Sequence, residues 1–430
     1  MRRSWSLLLP FVLALVVGGC KVTSINYFPP HPAQVRVANL LPGVASVDVL
    51  VGGTVLWSGV TSQSVTSYQI LENTTQNFVV NVAGTTTQLA QGSFVLAGEQ
   101  PYTFVITGTP SQPTVNFLQE VKNPPTNGSV LISAFNAASN VSSLDLYATI
   151  PGADITVIGP TYFGLNYNGT TYNVSFQPGT YQVRATVAGT KTVIYDSGPI
   201  TVVANTALFF VTYSAGSSRL VNAGLLQSQG PAQALNSLFT QVKTVHAAPQ
   251  TGAIDLLESG VPVISNVAYT GFGGYNTAAP AAAQVMSFTG TGTLAPTLAS
   301  VTASLSSATD QTVFITGFPG SLQAVYLADL NVVAAPGGVR VRFVNTSPDA
   351  GPITVTVAST PPTVVTGIAS PTASGYATFA AGTYSITVTS TASGATLLTL
   401  PNVVFTTPQT SSVYMIGPAS GIGGFITQDF

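Results

Sequence analysis

Charge is scarce in this chain. Only 6% of its 430 residues are Asp, Glu, Lys or Arg, against about 25% in ordinary soluble domains, so its exterior must be built largely from uncharged polar side chains. The 11 basic and 13 acidic residues leave a formal charge of −2. No basic run follows Arg2-Arg3, which disfavours nucleic-acid binding, because that affinity rests on Lys and Arg neutralising phosphates. Cysteine is rarer still: Cys20 is the only one, and there are two histidines, His31 and His246. Zinc clusters and His-assisted nucleophiles therefore have little to work with. Beyond the first twenty residues no unbroken apolar run approaches the roughly 18 residues of a spanning helix, although 45% of residues are hydrophobic. Helical periodicity is also missing, and 41 Gly and 29 Pro interrupt it almost everywhere.

What is present begins with the leader. Met1-Arg2-Arg3 precedes an apolar run from Leu7 to Val17, broken by Pro10, and then Gly18-Gly19-Cys20. A basic start, a short apolar stretch and small residues before a cut outline a signal peptide over residues 1–19. Val17-Gly18-Gly19-Cys20 resembles the bacterial lipobox. That resemblance implies a diacylglyceryl thioether on the Cys20 sulfur and a further acyl chain on its new amino group. Two or more chains hold a protein stably at a membrane, where one holds only marginally. Lys21 after the lipidated residue resembles outer-membrane-retained lipoproteins of Gram-negative cells. Residues 20–34 then form a lipidated tether, with membrane lipid as the expected partner.

The strongest internal signal is a repeat of about 100 residues. Four segments open with a strand, a turn and a second strand: Val35-Arg36-Val37-Ala38-Asn39 to Val47-Asp48-Val49; Val130 to Asn136, then Leu144-Asp145-Leu146; Val242-Lys243-Thr244-Val245-His246 to Ile254-Asp255-Leu256; and Val339 to Asn345, then Ile353-Thr354-Val355. A Gly turn and an alternating strand recur later, as Pro178-Gly179-Thr180-Tyr181 and Ala381-Gly382-Thr383-Tyr384. Further strands at 102–107, 208–213, 312–316 and 412–416 are expected to close the copies. The pattern predicts an all-β chain of tandem immunoglobulin-like β-sandwiches, seven or eight strands each, over 35–122, 130–229, 240–333 and 338–430. Residues 232–239 read as a linker turn or one short helix. Short Pro/Gly-marked junctions favour a linear array over freely swivelling beads, with closely packed neighbours the other arrangement they allow; an extended array would reach on the order of 100 Å.

The chemistry-bearing residues read as structural. His31 lies in a proline-rich tether, and His246 ends an opening strand with no Gly-x-Ser-x-Gly motif to support it. Asp48, Asp145 and Asp255 recur at one position, yet Thr354 replaces them in the fourth copy, and a Thr cannot stand in for an anionic calcium ligand. A turn or register role is expected for them, and a turn role for Asp349. Gly271-Phe272-Gly273-Gly274-Tyr275 lacks a Walker lysine and reads as a loop. Tyr102, Tyr181, Phe210 and Tyr384 are expected core or corner residues, and an exposed cluster of Tyr residues with Trp57 would offer a sugar platform. No catalytic residue, metal ligand or cofactor is expected.

Val339 to Ala350, continued by Ala381-Gly382-Thr383-Tyr384, resembles the bacterial envelope domains grouped as domain of unknown function 4397. Val245-His246-Ala247-Ala248-Pro249 is a related form, and the first two copies diverge at that turn. The resemblance implies fold and envelope location and brings no activity. The expectation is a non-enzymatic, lipid-anchored envelope protein presenting sandwiches for surface recognition or adhesion to a protein or glycan. The alternatives are a structural envelope scaffold or self-assembling layer, and an accessory carbohydrate-binding subunit.

Overall fold

The computed structural model describes residues 31–429 apart from 215–219, 333, 336 and 408. The leader, Cys20 and most of the tether therefore lie outside the described residues. No α-helix occurs among those described, and none of their elements is a helix able to cross a membrane.

All four modules are two-sheet sandwiches of one topology. In the first, the opening strand Ala33–Asn39 runs parallel to Pro101–Thr109, which pairs antiparallel with Gln112–Gln119. The facing sheet has the order Thr54–Thr61, Ser46–Val51, Thr75–Val82, Gln88–Val95. The same parallel pair recurs as Val130–Ala137 with Thr206–Ser214, Thr240–His246 with Asp310–Thr316, and Gly338–Asn345 with Gln409–Ile416. Each module encloses its own core between the sheets, such as Phe78 stacked on Phe104 at 4.7 Å in the first. The modules hold nine, nine, eight and nine strands.

Three local expectations change. The strands expected to close each copy are central in their sheets, and one more strand follows each, or two in the second module. Part of the 232–239 segment is the strand Ala232–Leu235, which extends the second module's sheet by pairing with Val221–Gln227. Part of the expected Gly-rich loop is the strand Phe272–Ala278. Its Gly273 lies against Ile264, where an added Cβ would fall 2.2 Å from Ile264 Cγ2, so a side chain there would displace the neighbouring strand.

The topology also decides how the modules are arranged. In the first, third and fourth modules the opening strand is parallel to the next-to-last strand and the last strand is antiparallel to that one, so the chain enters and leaves at the same end of the sheet, Gln34 level with Pro101 and Tyr102 with Gln119; in the second, Ala232–Leu235 carries the chain back towards the other end. A chain that enters and leaves at one end does not thread its modules lengthwise. The modules instead pack in pairs through the outer faces of their parallel sheets. Ala38, Leu40 and Val105 of the first meet Phe135, Phe209 and Val211 of the second. Val245, Ala247 and Phe314 of the third meet Val344, Tyr414 and Ile416 of the fourth. The modules are thus the closely packed neighbours that the short junctions also allowed, and not the favoured linear array. The pairing also explains why the opening strand and its parallel partner are buried on both faces, as parallel strands usually are.

Candidate functional site

The densest chemistry lies in the seams between paired modules. The parallel registers make Arg36, Ser133, Lys243 and Arg342 equivalent, opposite Thr103, Phe209, Thr312 and Ser412. Two residues past the antiparallel partner of Thr103, Phe209, Thr312 and Ser412 stand Glu120, Ser228, Asp329 and Asp429. The strand returning beside the opening strand contributes Tyr68, Asn173, Tyr275 and Tyr376. Modules one, three and four thus carry a base, a hydroxyl, an acid and a tyrosine, and module two has lost all four together.

In the third and fourth modules the charges cross the seam. Arg342 pairs with Asp329 of the third, and Lys243 pairs with Asp429 of the fourth; all four side chains are buried. Arg342 also donates to Ser412 Oγ at 2.7 Å and to the carbonyl of Ala328 at 3.1 Å. Tyr275 donates to Asp329 at 2.5 Å, and its ring lies 5.2 Å below Lys243 Nζ. Burial pushes the Asp329 carboxyl up, but Arg342 and Lys243 outweigh it and hold it below the usual carboxylate range. Burial pushes Tyr376 up to about 12, and Tyr275 rises well above its ordinary value for the same reason, so both rings stay neutral. In the first pair Arg36 bonds its own Glu120 at 3.1 Å and reaches across to the carbonyls of Gln227 and Gly230 at 3.0 and 2.9 Å. Buried ion pairs add little net stability but penalise any mispaired arrangement, so these groups fix which faces meet.

The other polar candidates are tied to backbone. Asp48 accepts from the amides of Gly59 and Gly84 at 2.7 and 2.8 Å, Asp145 from Gly164 and Gly189, and Asp255 from Asn266 and Gly292. Each carboxylate joins a bulge to a hairpin, and the amides lower the Asp48 pKa. Thr354 instead meets Thr391 at 3.0 Å. His246 accepts from the Ala248 amide and donates to the Gly252 carbonyl at 2.9 Å. Asn345 makes the same two bonds, to Ser347 and Gly351. His31 meets Glu99 at 2.5 Å, and Glu99 also accepts from Lys122 at 2.6 Å. Asp349 accepts from the Ala419 amide at 2.7 Å. Among the described residues no group of three or more His, Cys, Asp or Glu is placed to hold a metal ion.

Tyr102 and Phe210 are buried, and Tyr181 and Tyr384 donate to carbonyls four residues earlier, Gln177 and Ala380. Trp57 is only 5% exposed and belongs to the first core, so the expected Trp57 platform is corrected. The two most exposed aromatic rings among the described residues stand elsewhere, on the second module. Phe163 is 80% and Tyr172 72% exposed, and both line an open cleft of about 280 Å³ with Tyr162, Asn166 and Thr170. Tyr162 faces inward, its hydroxyl on the carbonyl of Ile132, with its ring 6.2 Å from Tyr172. The bulge at Gly164, pinned by Asp145 at 2.7 Å, lets Tyr162 and Leu165 both turn inward while Phe163 turns out. The sequence signal was the adjacent pair Tyr162-Phe163, since successive strand residues face opposite ways.

Among solved structures, the chain is similar to a family 26 carbohydrate-binding module from Eubacterium rectale Amy13K, solved in complex with maltoheptaose. Identity is 11%, covering 46% of this chain and 97% of that one, with a TM-score of 0.16. Family 41 carbohydrate-binding modules from streptococcal virulence factors show 11% identity over 42% of this chain and 93% of theirs, TM-score 0.17. The Bacillus anthracis TIE protein shows 8% over 91% of this chain and 68% of that one, TM-score 0.15. Similarity at this level carries no functional argument. No curated protein matches the sequence. The family described as Domain of unknown function (DUF4397) matches residues 33–147 and 240–356. Each match spans one whole sandwich and the first two strands of its seam partner, so the match recurs with the module pair. More than half of the chain is covered in this way, and the chain belongs to the DUF4397 family.

Proposed function

We propose that this chain is a non-catalytic envelope protein, held by lipid on Cys20, that presents paired sandwiches for recognition of a neighbouring surface, with the Phe163–Tyr172 shelf as its contact site. The observation that carries this reading is the shelf itself: two large rings held out into solvent on a rigid bulge. Exposed apolar groups gathered at a cleft with a few convergent polar groups are the ordinary form of a binding site. Flat rings beside the uncharged Asn166 and Thr170 suit the apolar face and hydroxyls of a glycan, which favours the carbohydrate-binding form of the reading over a purely structural layer. The charged groups support the non-catalytic part, since the ion pairs and the three recurring aspartates are engaged in holding the fold.

The test is retention of the full chain on a glycan array and on intact bacterial cells, beside a Phe163→Ser/Tyr172→Ser variant. Loss of retention with an unchanged melting temperature is the expected result. Equal retention by both proteins overturns the shelf as the contact site.

A further inference from the structure

A cavity of about 260 Å³ opens in the seam of the first module pair. Ala38 and Val65 line it from the first module, and Val211, Gly224, Ala232 and Ala234 from the second. The strand registers allow the two pairs to be compared position by position. Val65 stands opposite Ala38 where Phe272 stands opposite Val245, and Gly224 stands opposite Val211 where Phe425 stands opposite Tyr414. In the second pair those three rings meet, Phe272 with Phe425 at 5.6 Å and Phe425 with Tyr414 at 6.0 Å. The first pair has Val, Gly and Val in their places. Leu40 and Tyr213, which stand where the second pair has Ala247 and Ile416, also line the cavity and refill only part of that space.

One wall of the cavity is a strand with a free edge. Ala232–Leu235 ends its sheet, contains no charged residue, and exposes Ala232, Gln233 and Ala234. The Gln227 amide donates to the Pro231 carbonyl at 3.1 Å. Antiparallel bonding alternates from there, so Gln233 and Leu235 bond towards Val221–Gln227, and the N–H and C=O groups of Ala232 and Ala234 point away from the sheet. Ala232 and Ala234 are level with Leu226 and Gly224, which puts their methyl groups on the seam face beside the cavity.

We propose that this cavity takes the aromatic side chain of an extended peptide, which adds to the Ala232–Leu235 edge as a further strand. In strand addition the main-chain bonds give affinity and a side-chain pocket gives selectivity; here the outward groups of Ala232 and Ala234 supply the first and the cavity the second. An apolar cavity of about 150 Å³ already accommodates benzene, so this one admits a Phe or Tyr ring, the group that fills the equivalent place in the second pair. Its polar side chains, Gln63, Tyr213 and Gln233, are uncharged and offer nothing to pair with a buried charge. The cavity shares no lining residue with the Phe163–Tyr172 cleft and does not depend on the shelf being a binding site.

The experiment is calorimetric titration of the full chain with acetylated, amidated pentapeptides Thr-Val-X-Val-Thr, in which X is Phe, Tyr or Ala, and with toluene. The Phe or the Tyr peptide is expected to bind at least tenfold more tightly than the Ala peptide. Val65→Phe, which restores a ring of the second pair, and Ala234→Pro, which removes an outward N–H without breaking a ladder bond, should each weaken that binding tenfold or more while the chain still unfolds cooperatively. Phe163→Ser/Tyr172→Ser should leave it unchanged, which separates this site from the shelf. The proposal is overturned if neither aromatic peptide binds at millimolar concentration, if the Ala peptide binds as tightly, if toluene binds and no peptide does, or if binding survives both Val65→Phe and Ala234→Pro.

Discussion

Arg342 of the fourth sandwich forms its ion pair with Asp329 of the third, not with the equivalent acid of its own module. Lys243 and Asp429 make the reverse exchange, so the two modules are joined by a reciprocal cross. Replacing Arg342 by Met would leave Asp329 buried with one cation fewer, at an expected cost of about 3–5 kcal/mol. The double variant Arg342→Met/Asp329→Leu should cost less than the sum of its single variants. Urea unfolding of the four proteins closes this cycle, and strict additivity would show that the two groups do not act on each other.

Stability should respond to mild acid through His246. Burial lowers its pKa in the folded chain below the ordinary 6.5, so the unfolded chain takes up the proton more readily. The stabilising contribution is therefore complete above about pH 6.5 and declines as pH falls through that value towards the folded pKa. His246→Asn supplies the residue found at Asn39, Asn136 and Asn345 and removes the titration. The difference in melting temperature between pH 7 and pH 5 should be smaller in the variant than in the parent chain.

Asp255→Asn tests the bulge-to-hairpin bridge. An amide side chain has one acceptor oxygen where the carboxylate has two, so either Asn266 or Gly292 loses its partner, at about 1–3 kcal/mol. Adding calcium should leave the melting temperature of the parent chain unchanged, because the Asp255 oxygens already accept from those two amides. A calcium-dependent rise would overturn the register role.

Anchoring is checked by fractionation and protease shaving. The parent chain is expected in the membrane fraction and Cys20→Ala in the soluble fraction. Cleavage of the parent on intact cells would place the sandwiches outside; cleavage only after the outer membrane is opened would exclude adhesion to other cells.

The strands and their fourfold recurrence were legible because Val, Ile, Thr and Tyr alternate between Gly turns, and a period of two survives in a single sequence. The pairing of modules was not. In Val339-Arg340-Val341-Arg342 the alternation tells which residues face away from the core, but not that a second sandwich covers them. Arg340 remains near solvent, its guanidinium on the Val332 carbonyl, while Arg342 two residues later is buried. That distinction depends on chain segments far away in sequence. Tyr275 was hidden for the same reason, since Gly-Phe-Gly-Gly-Tyr has loop composition and becomes a strand only against Thr240–His246. The exposure of Phe163 was only half legible: the adjacent pair Tyr162-Phe163 points one ring outward, but the outward turn at a bulge depends on the inward turn of both Tyr162 and Leu165.

The shared end at which the first, third and fourth sandwiches start and finish has a corollary for how such a chain can grow. A unit whose two termini lie together can be inserted, duplicated or deleted without pushing its neighbours apart by its own length. Seam charges that cross between partners would make the viable step a doublet. The second module, with Ser133, Phe209, Ser228 and Asn173 in place of the polar set, is the one member of these doublets that brings no charge to its seam at those positions.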